Sequence, residues 1–191
     1  MNQKNLLEVD WSKIPAPTDD GATAHLAGMT IPSLSLIGTD DAAVTLAALP
    51  GRTVVFAYPR TGEPGKISLV DDWDMIPGAR GCTPQTCAFR DLFAELKAAG
   101  AAHVFGLSTQ SNAYQTEMAS RLHLPFPVLS DERLALTHAL NLPTMQVAGL
   151  TLIRRLALII DDARVTCVFY PVFPPDRNAG DVLAWLRKNP V

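Results

Sequence analysis

The sequence predicts an α/β protein with a central mixed β-sheet flanked by helices, preceded by an extended segment and a hairpin. Two stretches predict the sheet. Residues 53–58, Thr-Val-Val-Phe-Ala-Tyr, form an apolar run suited to a strand buried on both faces, and His103–Ser108 reads as a second. A third observation predicts the helices: apolar residues between those strands recur at helical spacing, as at Phe89, Leu92, Phe93 and Leu96. Strands alternating with helices imply parallel members in the sheet. The chain has 191 residues, of which 48% are hydrophobic, enough for one domain with a sizeable core.

Residues 1–32 read as an N-terminal extension, punctuated by Pro15, Pro17, Gly21, Gly28 and Pro32, with Trp11 and Ile14 packing it onto the domain. The domain then runs over 33–191. Leu34, Leu36, Val44 and Leu46 flank Gly38-Thr39-Asp40-Asp41 as a small hairpin. After the first buried strand, residues 60–81 form a long loop rich in Gly, Pro and Asp; loops of more than about 12–15 residues are usually functional or disordered. A helix follows to about Ala99, stopped by Gly100. Ser111 caps a helix to about His123, and Phe126–Leu129 is a short strand. Ser130 or Asp131 caps the next helix, to Leu142. Leu150–Ile160 and Val165–Tyr170 are two strands around the turn at 161–164, and a last helix covers about Ala179–Asn189.

Charged residues make up 18% and the net charge is −3, so no basic field points to nucleic acid or to an anionic membrane. No apolar run reaches the ~18–20 residues that span a bilayer. Met1–Ile14 lacks the apolar core of a signal peptide, and three cysteines are too few for a disulfide scaffold. The expected location is the cytoplasm. His25, His103, His123 and His138 show no ligand spacing, and no metal site is expected.

The chemistry is concentrated in Gly81-Cys82-Thr83-Pro84-Gln85-Thr86-Cys87-Ala88-Phe89-Arg90-Asp91. Thr83 reads as the N-cap of the helix and Pro84 as its first residue. Cys82 then sits at the helix start, where unpaired N–H groups and the macrodipole favour an anion. In a helix continuous from Cys82, the Cα atoms of Cys82 and Cys87 stand about 8.7 Å apart. A disulfide needs roughly 4.4–6.8 Å. The two thiols therefore meet only if the first turn frays, the layout of a nucleophile and a resolving partner separated by local unfolding. Cys167, in an apolar strand, reads as an inert core thiol.

The strand, the loop and this Gly-Cys-Thr…Cys-x-Phe-Arg-Asp helix resemble the peroxiredoxins of the bacterioferritin-comigratory or Q type, over about residues 32–190. The resemblance implies a thioredoxin-like fold and a thiol peroxidase. Cys82 matches the peroxidatic cysteine, Cys87 the resolving cysteine, and Arg155 the active-site arginine, with Asp161 six residues beyond it. It further implies a peroxide substrate, a Cys82–Cys87 disulfide, thioredoxin or a similar dithiol as reductant, no cofactor, and a monomer or weak homodimer.

One departure from the family pattern stands out. The family places a proline and a threonine shortly before the cysteine, but here Ala79 stands at the threonine position. Pro59 follows the central strand 23 residues before Cys82, so an insertion of 16 residues has split the motif. Pro59 and Thr61 are expected to complete the substrate site, Thr61 folding back to supply the hydroxyl, with Thr83 the other candidate. Two other functions stay open: a thiol–disulfide oxidoreductase on the same fold, whose usual Cys-x-x-Cys is absent, and a non-catalytic role.

Overall fold

The structure is a computed structural model that describes residues 9–191. It is built on a seven-stranded sheet in the order β2-β1-β5-β4-β3-β8-β9. The strands are β1 Leu36–Gly38, β2 Ala43–Val44, β3 Thr53–Ala57, β4 His103–Ser108, β5 Val128–Ser130, β8 Leu156–Asp161 and β9 Arg164–Phe169. A separate two-stranded sheet pairs β6, Thr144–Val147, with β7, Leu150–Ile153. The helices are α1 Cys82–Asp91, α2 Phe93–Ala98, α3 Asn112–Leu122, α4 Ala135–Ala139 and α5 Asn178–Lys188. β3, β4 and β5 are parallel to one another, and β8 runs antiparallel to β3, giving the predicted mixed sheet.

The apolar run of β3 has no polar face because both of its faces are covered. Val54, Phe56 and Tyr58 pack with Phe89, Leu96, Met118, Leu183 and Leu186, so α1, α2, α3 and α5 lie on one side. Val55 and Ala57 pack with Leu136, Leu140, Leu158 and Ile160 on the other, beside α4 and the N-terminal extension. Phe56 and Phe89 stack with ring centroids 4.0 Å apart, which fastens α1 onto the strand that precedes it. Such a ring pair adds about 0.5–1.5 kcal/mol beyond the area it buries.

The extension lies on the domain over its described residues, 9–32; residues 1–8 lie outside the described residues. Gly28 and Met29 exchange main-chain hydrogen bonds with Val165, and the Ile31 N–H donates to Ala163, so the segment covers the outer edge of β9. An unpaired edge would otherwise invite association with another chain. Leu26 and Ile31 are buried, and the Trp11 ring meets Phe173 edge-on while its indole N–H donates to Asp176. Trp11 and Ile14 are each half-buried.

Three expectations need correction. The helix expected through Ala99 bends at Leu92, whose N–H is shared between the Ala88 and Arg90 carbonyls, and so divides into α1 and α2. The helix expected through Leu142 is the short α4; its first turn is held by Asp131, whose carboxylate accepts from the Leu136 and Thr137 N–H groups. The single strand expected over 150–160 is two strands in two sheets. Ala148 and Gly149 both adopt positive φ, the two-residue hairpin geometry that returns β6 into β7. The chain then leaves the small sheet at Arg154 and Arg155 and joins the large one as β8.

Candidate active site

α1 starts two residues earlier than its sequence suggests. Gly81 is the N-cap, at φ 103°, and makes no side-chain cap bond. Only glycine fits there. A Cβ would lie 2.6 Å from Pro175 Cγ and 2.7 Å from a ring carbon of Trp11. Thr83 is therefore not the cap but a buried residue of the first turn. Cys82 becomes the first helical residue, at the end of the helix that favours an anion.

Arg155, the residue just before β8, meets Cys82. Its Nη2 lies 3.2 Å from Cys82 Sγ and also donates to the carbonyls of Gly78 (3.2 Å), Ala79 (3.3 Å) and Arg80 (3.1 Å). Its Nη1 donates to Gln85 Oε1. Gln85, wholly buried, passes the contact on through Nε2 to Asn178 Oδ1, 2.9 Å away at the start of α5. The Cys82 thiol donates to the Ala79 carbonyl at 3.5 Å. Arg155 is only 2% exposed, and its hydrogen-bond partners are neutral carbonyls, an amide and the sulfur. A buried cation is costly unless paired. Cys82 is the one of these partners that can take a negative charge.

Cys87 has a different setting in the same helix. It is buried, and burial pushes its thiol above the ordinary value, against the opposing pull of Arg90. Cys167, half-buried on β9, is pushed up by burial as well. Beneath the site, burial and the nearby Cys82 hold the Tyr58 phenol well above its usual range, and its hydroxyl donates to Gln115 Oε1.

Pro59 and Thr61 lie buried beyond the end of β3, and the Pro59 carbonyl accepts from Ser108 Oγ. Thr61 corrects the sequence reading. Its hydroxyl donates to Gln110 Oε1 at 3.1 Å, not to the sulfur, and Gln110 and Tyr114 both donate to its carbonyl. The network ties the start of the insertion to the segment that leads into α3. Arg154, next to Arg155, turns away from the sulfur to Asp20 Oδ2 (2.6 Å) and Tyr170 (3.2 Å). The insertion packs Trp73 and Ala79 against Val147 and Leu152 of the β6–β7 hairpin. That contact places the carbonyls of residues 78–80 against Arg155. Sequence reasoning missed Gln85 and this hairpin. Gln85 stands three residues after Cys82, a spacing that puts both on one helix face and was legible.

Comparison with known proteins gives the family and the fold. The Redoxin family matches residues 26–183. Peroxiredoxin Q, chloroplastic, of Oryza sativa subsp. japonica is 32% identical over 162 residues, covering 84% of this chain. The chain spans 66% of that relative's length. The crystal structure of peroxidoxin BcpB from Mycobacterium tuberculosis superposes with a TM-score of 0.69 at 25% identity, covering 86% of this chain and 98% of that one. A Xanthomonas campestris peroxiredoxin Q shares the fold, with a TM-score of 0.65, 22% identity, and 92% and 98% of the two chains covered. With its cysteine pair on α1 and its arginine just before β8, the chain belongs to the Redoxin family, as a peroxiredoxin of the bacterioferritin-comigratory or Q type.

Proposed function

We propose that the protein is a thiol-dependent peroxidase that reduces hydrogen peroxide or organic hydroperoxides. The contact between Cys82 Sγ and the buried Arg155 Nη2, at 3.2 Å, carries the reading. The thiolate attacks one peroxide oxygen, an S–O bond forms as the O–O bond breaks, and the other oxygen leaves as water or an alcohol after taking a proton. The Arg155 guanidinium offers N–H donors to the oxygens as charge moves onto them. Pro59, Thr61 and Thr83 shape the surroundings and leave the acceptor role at the sulfur to the Ala79 carbonyl. Cys82 is left as a sulfenic acid. Cys87 attacks its sulfur, water departs, and a Cys82–Cys87 disulfide remains. An external dithiol, thioredoxin or a similar protein, reduces it, and the cycle needs no metal or organic cofactor. Alkyl peroxide reduction is the described activity of the Xanthomonas campestris bacterioferritin comigratory protein, which shares this fold at 21% identity. The cytoplasm, where thiols are kept reduced, is the proposed compartment.

The test is peroxide consumption by the purified protein with thioredoxin and its reductase. Turnover supports the peroxidase. Reduction of insulin disulfides without peroxide consumption would make it a thiol–disulfide oxidoreductase instead.

A further inference from the structure

Arg155 meets the sulfur with one corner of its guanidinium. Nη2 lies 3.2 Å from Cys82 Sγ and donates to the carbonyls of residues 78–80, Nη1 donates to Gln85 Oε1, and Nε has no hydrogen-bond partner. Held through Nη2 alone, the planar group could pivot about that corner. The Gln85 bond is a second point of attachment and sets the angle at which the fork faces the sulfur.

Asn178 decides which way round Gln85 lies. A guanidinium has N–H donors and no acceptor, so Gln85 must turn its oxygen to Arg155. Its amide nitrogen then faces the other way and, in a wholly buried side chain, needs an acceptor. Asn178 supplies it: Oδ1 lies 2.9 Å from Gln85 Nε2, on a residue only 1% exposed. The relay therefore has a fixed polarity, from Arg155 through Gln85 to Asn178. Its far end is anchored. Asn178 is the first residue of α5 and follows directly on the turn Pro175–Arg177, whose Pro175 closes over Gly81. Val182, Leu183 and Leu186 of α5 pack in the same core as Phe56 and Phe89.

We infer that Asn178 is a positioning residue for the peroxide reaction: its side-chain oxygen fixes the Gln85 amide and so holds the Arg155 fork against Cys82. The inference rests on the peroxidase reading and extends the site to α5, 93 residues beyond Gln85. Remove that oxygen and Gln85 has two arrangements. It can keep its place with a buried donor unsatisfied, or turn over and set its NH2 against the guanidinium, donor to donor. Both loosen the hold on Arg155.

The test is the second-order rate constant of the reduced protein with hydrogen peroxide, by stopped-flow. Asn178→Leu keeps the size of the side chain and removes the acceptor. It should slow the reaction by roughly tenfold, below the ~10²-fold that an ångström of misplacement can cost. Asn178→Ala removes the oxygen without any packing demand and should show the same fall. Asn178→Asp keeps an acceptor oxygen in either protonation state and should recover most of the rate. In an Arg155→Met background, Asn178→Leu should add little, because the group it positions is gone. A merely structural loosening would slow both backgrounds alike. Unchanged rates in Asn178→Leu and Asn178→Ala, an Asn178→Asp protein as slow as Asn178→Leu, or equal falls in the two backgrounds would each overturn the relay and leave the peroxidase intact. Wild-type protein that does not react with peroxide would overturn both.

Discussion

Cys82 and Cys87 share one helix and nearly equal burial, 3% and 6% exposed, yet their surroundings differ in kind. Cys82 has the first helical position, a guanidinium 3.2 Å away and a carbonyl that accepts a hydrogen bond from its thiol. Cys87 lies in the middle of α1 in the apolar cluster of Phe89 and Leu96, and burial holds its proton on. Burial alone therefore does not make a reactive cysteine. On the proposed reading, a guanidinium in hydrogen-bond contact and a helix end make Cys82 the nucleophile, whereas Cys87, in mid-helix, feels Arg90 only as a pull that burial outweighs.

Exchanging each cysteine for serine breaks the comparison at its widest. Cys82→Ser should abolish peroxide turnover. Cys87→Ser should still consume one equivalent of peroxide, stop at sulfenic acid and over-oxidise readily, as mass spectrometry would show. Cys167→Ser should turn over at close to the wild-type rate.

The arginine comes next. Arg155→Met removes the donors at the sulfur and should slow the second-order reaction with peroxide by about 10²–10³, the usual cost of losing a group that stabilises developing charge. Arg155→Lys keeps charge but not the planar fork and should recover only part of the rate, measured by stopped-flow. If Arg155→Met reacts as fast as wild type, the contrast between the two thiols has another cause.

The two threonines sharpen the contrast more gently. Thr61→Val loses a buried hydrogen bond to Gln110 and should cost about 1 kcal/mol of stability with little change in peroxide rate. Thr83→Val should cost less than the ~1 kcal/mol of a lost cap, because Gly81 holds the cap position. Chemical denaturation and stopped-flow on both variants check the pair.

The smallest effect is on pH. Folding raises the Cys87, Cys167 and Tyr58 groups by burial, so the folded state holds their protons more tightly than the unfolded chain does. Their contribution to stability is complete below the ordinary thiol value of about 8.5 and is lost as pH rises through the raised folded values. The urea midpoint should fall on the alkaline side, and less steeply in a Cys87→Ala/Cys167→Ala protein.

What was legible in the sequence follows the same division. The β3 and β4 runs and Ser111 as an N-cap accepting from Tyr114 N–H depend on local pattern, and the structure has each of them. Arg155 was singled out only by the family resemblance, and the structure brings it to Cys82 across 73 residues of sequence. The cap at Gly81 was hidden because its cause is distant: Trp11 and Pro175 close over it from other parts of the chain. The break at Arg154 and Arg155 was passed over because the apolar residues on either side of the pair, through Ile153 and from Leu156, read as one strand. Thr61 was assigned by analogy with a hydroxyl the motif lacks, and a glutamine 49 residues away decided where it points.

Forming the disulfide requires the first turn of α1 to open, because Cys82 and Cys87 in a continuous helix stand about 8.7 Å apart at Cα against at most ~6.8 Å in a disulfide. The turn is held by the Gln85 N–H to Gly81, by Thr86 Oγ1 to the Cys82 carbonyl, and by the packing of Trp11 and Pro175 on Gly81. Pro84 within it donates no backbone hydrogen bond, and local opening of a helix end is cheap relative to global unfolding. Non-reducing peptide mapping after one equivalent of peroxide, paired with hydrogen exchange of residues 83–88, tests this most directly. The expected result is a Cys82–Cys87 disulfide within a monomer, with those amides exchanging faster than in the reduced protein. A disulfide from Cys82 to Cys167 or to a second chain, or equal protection of residues 83–88 in both redox states, would contradict it.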